Sequence, residues 1–219
     1  MRGPVPLSRL DGLGCLVEGF DTPPAIMMPY HLPYYADFFE RYGLAKRQDH
    51  HTYRIALDRS LPARLDKLAE HARRRRGAKT RPMRAARIRR DMRIIMDILN
   101  ESHRDDVGFT PLRDADLKYF MAKLKPVLVP ELINFVEVDG KPVGFAMVLP
   151  DYNEVLKRFN GKIGVTDMVK FYWYSKKIKS LRFTMLGIRP AFQRKGLETL
   201  LYLESYRQAK APGYTDAES

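Results

Sequence analysis

Residues 186–201, LGIRPAFQRKGLETLL, combine the side chains and spacing that most directly suggest chemistry. An apolar run breaks at Arg189-Pro190 and a helical pattern starts near Gly196, so the stretch predicts strand, turn and helix. A helix start leaves several N–H groups without partners and carries the positive end of the helix dipole. Such a terminus holds an anion without any special side chain. Gly196 lets a phosphate approach the backbone closely, and Arg194 and Lys195 add positive charge. Pyrophosphate is the ligand this pattern suits.

A second charged feature lies earlier. Lys plus Arg outnumber Asp plus Glu by 39 to 26, for a net charge of +13. Residues 64–93 hold 13 Lys/Arg against Asp66, Glu70 and Asp91, or +10, which leaves +3 for the rest of the chain. Such a stripe, centred on Arg73-Arg74-Arg75-Arg76, neutralises nucleic-acid phosphates or forms a solvated helix between two modules. No Phe, Tyr or Trp occurs from Arg54 to Ile98. The aromatic platforms of single-strand binding are therefore missing, which favours the solvated helix.

The elements that position these residues follow from periodicity and turn residues. Residues 1–30 are rich in Gly and Pro, with a strand expected over residues 15–18. Pro33 suits a first helical turn, with Tyr35, Phe38, Phe39 and Tyr42 behind it and Gly43 as its stop. Residues 44–48 and 52–57 read as extended. Residues 61–76 read as a helix with Leu61, Leu65, Leu68 and Ala72 on one side, and residues 80–83 as a short strand. Ile88, Met92, Ile95, Met96 and Leu99 give an amphipathic helix over residues 86–103. Asp106-Val107-Gly108 reads as a turn. Thr110 as cap and Pro111 as first residue predict another helix, with Leu117, Phe120, Met121 and Leu124 on its apolar stripe. Residues 132–138 and 143–149 alternate as strands around Asp139-Gly140, a strong hairpin signal. Helices are expected over residues 151–159, stopping at Asn160-Gly161, over 167–177 and over 196–210. Residues 181–188 read as a strand, and residues 214–219 as the beginning of another.

The motif and its setting together resemble the GCN5-related N-acetyltransferase superfamily. Its acyl-CoA motif follows the fourth strand as Gln/Arg-x-x-Gly-x-Gly/Ala. Ile188-Arg189-Pro190, Gln193 and Gly196 match it, while Glu198 stands where Gly or Ala is usual. The segment FVEVDGKPVGFA, residues 135–146, resembles that family's second and third strands. Residues 38–44, FFERYGL, resemble the Phe-Tyr-x-x-x-Gly-Phe end of the family's last helix, with Phe39 in the place of the tyrosine. LVEGFDTPP (residues 16–24) and MMPY (residues 27–30) resemble large bacterial proteins with two such modules in tandem. The resemblance implies an α/β (α+β) fold, an acyl-CoA N-acyltransferase-like mixed sheet flanked by helices. It also implies two partial modules: residues 1–57 the end of a first, 58–79 a basic helical linker, and 80–219 a second without its end. On this reading the chain is an internal fragment.

The function implied is acyl-CoA binding, with transfer of the acyl group to an unknown small-molecule or peptide amine. Acetyl-CoA or another acyl-CoA is the co-substrate, and no metal is expected. Leu186, Gly187 and Ile188 would face the pantetheine arm and thioester. Gln193, Arg194, Lys195, Gly196, Leu197, Glu198 and Thr199 would hold the pyrophosphate. Glu137 and Asp151 are the candidate bases, each alternatively a solvated carboxylate. In many members a tyrosine protonates the leaving thiolate; Phe39 cannot, so the first module is expected to be non-catalytic. Phe171-Tyr172-Trp173-Tyr174 reads as a packed helix face, as the wall of an acceptor pocket or, with Lys170, Lys176, Lys177 and Lys179, as a face for a membrane surface. The alternative function is a non-catalytic nucleic-acid or acidic-partner module acting through residues 64–93.

Composition excludes other classes. The single cysteine, Cys15, excludes a disulfide scaffold and a cysteine zinc cluster. His31, His50, His51, His71 and His103 do not fall at metal-ligand spacing, and a metal needs three or four convergent ligands. With 45% hydrophobic residues, 11 Phe, 12 Tyr and 10 Met, the 219-residue chain can bury a core. No apolar run approaches the ~20 residues of a spanning helix, and MRGPVPLSRL lacks an apolar signal region. A soluble cytoplasmic protein is expected. A sheet left open beside residues 181–188 would invite a homodimer, unless residues 1–57 fold back to supply the missing strands.

Overall fold

The computed structural model describes residues 3–4, 14–105, 109–160, 164 and 167–219. Met1, the turn at Asp106-Val107-Gly108 and the stop at Gly161 lie outside the described residues. The chain divides into two units, Met1–Tyr53 with Asp151–Lys177 and Arg54–Pro150 with Ile178–Ser219.

The second unit is a mixed six-stranded sheet flanked by helices. Its strands are β1 (Arg54–Ala56), β2 (Lys79–Pro82), β3 (Ile133–Val138), β4 (Lys141–Pro150), β5 (Ser180–Ile188) and β6 (Asp216–Glu218), in the order β1-β6-β5-β4-β3-β2. The hairpin β3–β4 turns at Asp139 and Gly140, both at positive φ, 50° and 71°. A two-residue turn that matches strand twist needs that geometry. β5 runs antiparallel to β4 and parallel to β6, and β6 runs antiparallel to β1. The early chain thus folds back onto this sheet through β1.

Alternation along β3 and β4 sends side chains to two faces. Ile133, Phe135, Phe145, Met147 and Leu149 form one core with α3 (Ile88–Ser102) and α4 (Asp114–Leu124). Helix α3 buries Met92, Ile95, Met96 and Leu99, as its three- and four-residue spacing predicts. Val136, Val138 and Ala146 face α2 (Ala63–Arg76) and α7 (Leu197–Lys210). Leu197, Leu200 and Leu201 of α7 are fully buried there, each a contribution of about 1.5–3 kcal/mol. Between β2, α3 and β3, Arg81 donates two hydrogen bonds to the buried Asp91 at 3.0 Å and one to Glu137 at 2.7 Å.

Three expectations shift. In α2, within the segment read as a basic helical linker, Ala69 and Ala72 are buried while Leu68, expected on the apolar side, is exposed. Small residues let α2 lie close against α7, so its contact face runs through the alanines rather than through Leu68. Helix α4 starts at Asp114 rather than at Pro111. The Asn100 amide holds the Leu112 backbone through both N–H and C=O, at 2.7 and 2.9 Å. That clamp keeps the preceding residues extended, and Asp116 accepts the Arg113 N–H at 2.7 Å. The strands expected over residues 15–18 and 44–48 do not form. A strand needs a partner ladder, and Leu16 N–H donates instead to His31 Nδ1 at 3.3 Å.

The first unit holds α1 (Tyr34–Arg41), α5 (Asn153–Leu156) and α6 (Asp167–Ser175). Asp151 Oδ1 accepts N–H groups from Ile26 at 2.9 Å and Asn153 at 3.1 Å. The Asn153 amide donates to the Pro24 carbonyl at 2.7 Å. Tyr152 stacks on Phe171 of α6 with ring centroids 5.8 Å apart. Tyr172 and Trp173 of the same helix are exposed. Among the described residues, no helix is long and apolar enough to cross a membrane.

Candidate functional site

The site is built at the end of β5. Met147 pairs with Met185 and Val148 with Phe183, so Thr184 is the extra residue of a β-bulge. Its hydroxyl donates to the Met147 carbonyl at 3.0 Å. A bulge bends and twists the strand that carries it. Strand β6 pairs with Ser180, Leu181 and Arg182, just before the bulge. Beyond it, among the described residues, residues 185–188 have a ladder partner on the β4 side alone. Gly187 is required by packing: a Cβ there would lie 2.7 Å from Phe145 Cε1 and 3.2 Å from Ile98 Cγ2.

The loop into α7 is tightly curled. A short 3-10 turn spans Pro190–Phe192, and Arg194 and Gly196 then adopt left-handed conformations, φ 57° and 78°. Gly196 is the cap of α7 and has no side chain to satisfy the first turn, so the leading N–H groups of the helix face outward. The Gln193 amide donates to the Ile188 carbonyl at 3.1 Å, closing the loop on the strand end. Lys195 Nζ donates to the Ala191 carbonyl. Arg189 pairs with Glu101 of α3 and donates to the Pro142 carbonyl at 3.2 Å. Glu198 Oε1 accepts the Arg194 backbone N–H at 3.1 Å.

A cleft of ≈ 260 Å³ brings these pieces together. Leu186, Gly187 and Ile188 line it from β5, Gln193, Arg194 and Glu198 from the loop and α7, and Ser102 and His103 from the end of α3. Of the residues expected at the phosphate site, Gln193, Arg194 and Glu198 therefore share one cleft with the β5 backbone. Lys195, Gly196, Leu197 and Thr199 lie in the same loop and helix turn without lining it; Leu197 is fully buried. Gln193 and Lys195 spend hydrogen bonds on shaping the loop.

The two carboxylates named as bases have structural partners. Glu137 is held by Arg81, and Asp151 caps the start of α5 in the first unit. Burial disfavours the Arg81 charge, but the hydrogen bonds to Asp91 and Glu137 outweigh it and raise the guanidinium above its ordinary range. Among the described residues, no group of three or more His, Cys, Asp or Glu is placed to hold a metal.

Ser102 and His103 were not expected here. Residue periodicity identifies the apolar face of α3 but says nothing about which strand end its last turn will meet. That depends on the sheet order. A separate, larger hollow of ≈ 560 Å³ is lined by Arg87, Arg89, Arg90 and Arg93 around Ile88. It belongs to the basic segment and includes no residue of the loop.

No family model matches the chain. The bacterial ceramide synthase of Caulobacter vibrioides is 31% identical over 196 residues, covering 87% of this chain and 50% of that protein. Protein YghO of Escherichia coli is 28% identical over 223 residues, covering 99% of this chain and 57% of that protein. The chain spans about half the length of these curated relatives. Among solved structures, a C-terminal domain described as that of a lysylphosphatidylglycerol synthetase from Agrobacterium fabrum overlays with a TM-score of 0.49 at 12% identity, covering 77% of this chain and 47% of that one. An N-acetyltransferase from Staphylococcus aureus overlays at 0.40 and 16% identity, covering 63% of this chain and 68% of that one.

Proposed function

We propose that the chain binds an acyl-CoA along β5 and the first turn of α7 and supports transfer of its acyl group to an amine. A long-chain amino alcohol is the acceptor class that fits best. The one-sided edge of residues 185–188 carries this reading. An unpaired strand edge offers N–H and C=O groups to an extended ligand in the way it would to another strand. A pantetheine arm is such a ligand, with two amides along its length. The α7 N-terminus and Arg194, next to that edge, supply the positive field for the phosphates. The name of the Caulobacter relative supports the acceptor class, because a ceramide is the N-acyl derivative of a long-chain amino alcohol. Glu198 opposes the fit, because its carboxylate lines the same cleft.

Calorimetric titration of the folded chain with CoA and palmitoyl-CoA tests the reading. Binding is expected, and Gly196→Trp should abolish it, since a bulky side chain at φ 78° both strains the loop and fills the phosphate approach. Circular dichroism of the variant checks that the helices persist. Equal binding by a folded Gly196→Trp would remove the site from this loop.

A further inference from the structure

Coenzyme A is anionic in two places, at its diphosphate and at a further phosphate on its ribose. Both call for positive charge, and the cleft supplies little. Among the described residues that line it, Arg194 is the only Lys or Arg, and Glu198 offsets it. Arg189 is paired with Glu101, and Lys195 Nζ is turned to the Ala191 carbonyl. The loop thus spends most of its cations on its own shape, and the second phosphate needs a cation from a neighbouring element.

Helix α2 is that element. It packs antiparallel to α7. Near the start of α2, Asp66 accepts a hydrogen bond at 2.9 Å from Arg207, near the end of α7. Toward the end of α2, Ala72 lies at the start of α7, its Cβ 3.7 Å from where a Cβ on Gly196 would stand. Ala69 and Ala72 are buried in the core that α7 shares. Arg76 follows them by seven and four residues, so it continues the same helix face. It stands ~6 Å beyond Ala72 along the axis. Helical side chains lean toward the helix N-terminus, which tips Arg76 back toward the turn that meets Gly196.

The other arginines of this turn are placed differently. Arg73 is held by Glu70 and Glu204, and Arg74 by Glu70. Arg75 lies ~100° around the helix from Arg76. Arg76 is exposed, and among the described residues it makes no ion pair or hydrogen bond. Any of the four would complement the α2 dipole, but only Arg76 extends the Ala69–Ala72 face toward the loop.

We infer that Arg76 binds the ribose phosphate of the acyl-CoA and so selects CoA over thioesters that lack this phosphate. The inference rests on the acyl-CoA reading above and extends that site past the cleft onto α2. With the diphosphate at the first turn of α7 and Arg194, a cation one helical turn beyond the cleft meets the end of the ligand farther from the thioester. A guanidinium keeps its charge and presents paired N–H donors that match phosphate oxygens.

The test is calorimetry of the whole chain with CoA and with dephospho-CoA, which lacks the ribose phosphate. The parent, Arg76→Gln and Arg75→Gln are compared. The parent should bind CoA about tenfold more tightly than dephospho-CoA. Arg76→Gln should lose this preference, binding CoA about tenfold more weakly and dephospho-CoA within about twofold of the parent. Arg75→Gln should retain it. Circular dichroism and thermal unfolding check that α2 persists in both variants. Equal losses in the two variants would reveal a diffuse field and overturn the assignment. Equal weakening of both ligands by Arg76→Gln would do the same. A parent that binds CoA and dephospho-CoA alike would also overturn it and leave the acyl-CoA site standing. Absence of binding of either ligand by the parent would instead remove the site, and the inference with it.

Discussion

The Glu198 carboxylate accepts the backbone N–H of Arg194 at 3.1 Å, so a side chain from the first turn of α7 bonds back to the loop that leads into it. A carboxylate in the first turn of a helix is favoured by the dipole, and here it also satisfies a loop N–H. The same contact that stabilises the loop places a negative charge where a phosphate would bind. Like charges ~4 Å apart repel by about 4 kcal/mol at the effective dielectric of a protein surface, less after screening. Glu198→Gln keeps an acceptor for Arg194 N–H and removes the charge. It should tighten CoA binding by about tenfold, or about 1.4 kcal/mol, with thermal stability changed little. Calorimetry at low salt reads the difference, and unchanged or weaker affinity would place the phosphates elsewhere.

Gly187 makes a packing prediction. An added Cβ would press on Phe145 at 2.7 Å, and both residues are buried. Overpacking of this kind costs about 1–3 kcal/mol, so Gly187→Ala should lower the urea midpoint by that equivalent. Phe145→Leu made in addition removes the atom that clashes. The double variant should be more stable than the sum of the two single changes predicts, a coupling that urea denaturation of all four proteins measures. Strict additivity would show that β5 shifts rather than clashes.

These two sites differ in how far the sequence foretold them. Gln193, Arg194 and Glu198 come together because a strand, a turn and a helix adjacent in the chain must juxtapose them. The Asp139-Gly140 hairpin and the apolar face of α3 are local in the same sense. What failed was non-local. Residues 15–18 and 44–48 have strand-like composition but no neighbouring ladder. The packing of α2 turns on Ala69 and Ala72 meeting α7, far along the chain. His103 reaches the cleft only because α3 runs along the sheet toward the end of β5, an arrangement no spacing within α3 encodes.

Arg81 joins three elements through charge. It contacts Asp91, which is only 2% exposed, and Glu137, while its guanidinium lies 4.4 Å above the Phe135 ring. Removing one partner of a buried pair leaves the other charge without compensation, at a cost of about 3–5 kcal/mol. Arg81→Met should therefore destabilise strongly. Arg81→Met with Asp91→Leu should recover part of the loss, because the buried Asp91 charge is gone while the part-exposed Glu137 loses its partner and the Arg84 N–H loses the Asp91 acceptor it holds at 2.9 Å. Thermal and urea unfolding of the two variants decide the matter; equal destabilisation would mean that the Arg81 stem, rather than its charge, holds β2 to α3.

The basic segment supports a separate expectation about partners. Helix α2 is anchored by Ala69 and Ala72, yet Arg74, Arg75 and Arg76 at its end are exposed, as are Arg84, Arg87, Arg89 and Arg90. Within this set Arg74 has an exposed partner in Glu70, an ion pair worth about 0–1 kcal/mol. Substituting Arg74, Arg75 and Arg76 together by Gln should thus change stability by less than about 1 kcal/mol. Its effect should appear in polyanion binding. Each phosphate contact removed lowers the slope of log affinity against log salt by about 0.7–0.9, so a nucleic-acid role requires the slope to fall by ~2–3 in the triple variant. A chain that acts only as an acyltransferase should bind heparin and RNA weakly and with nearly the same slope in both forms. Fluorescence titration at two salt concentrations separates the outcomes, and a large loss of slope would turn this stripe from a solvated face into the working surface of the protein.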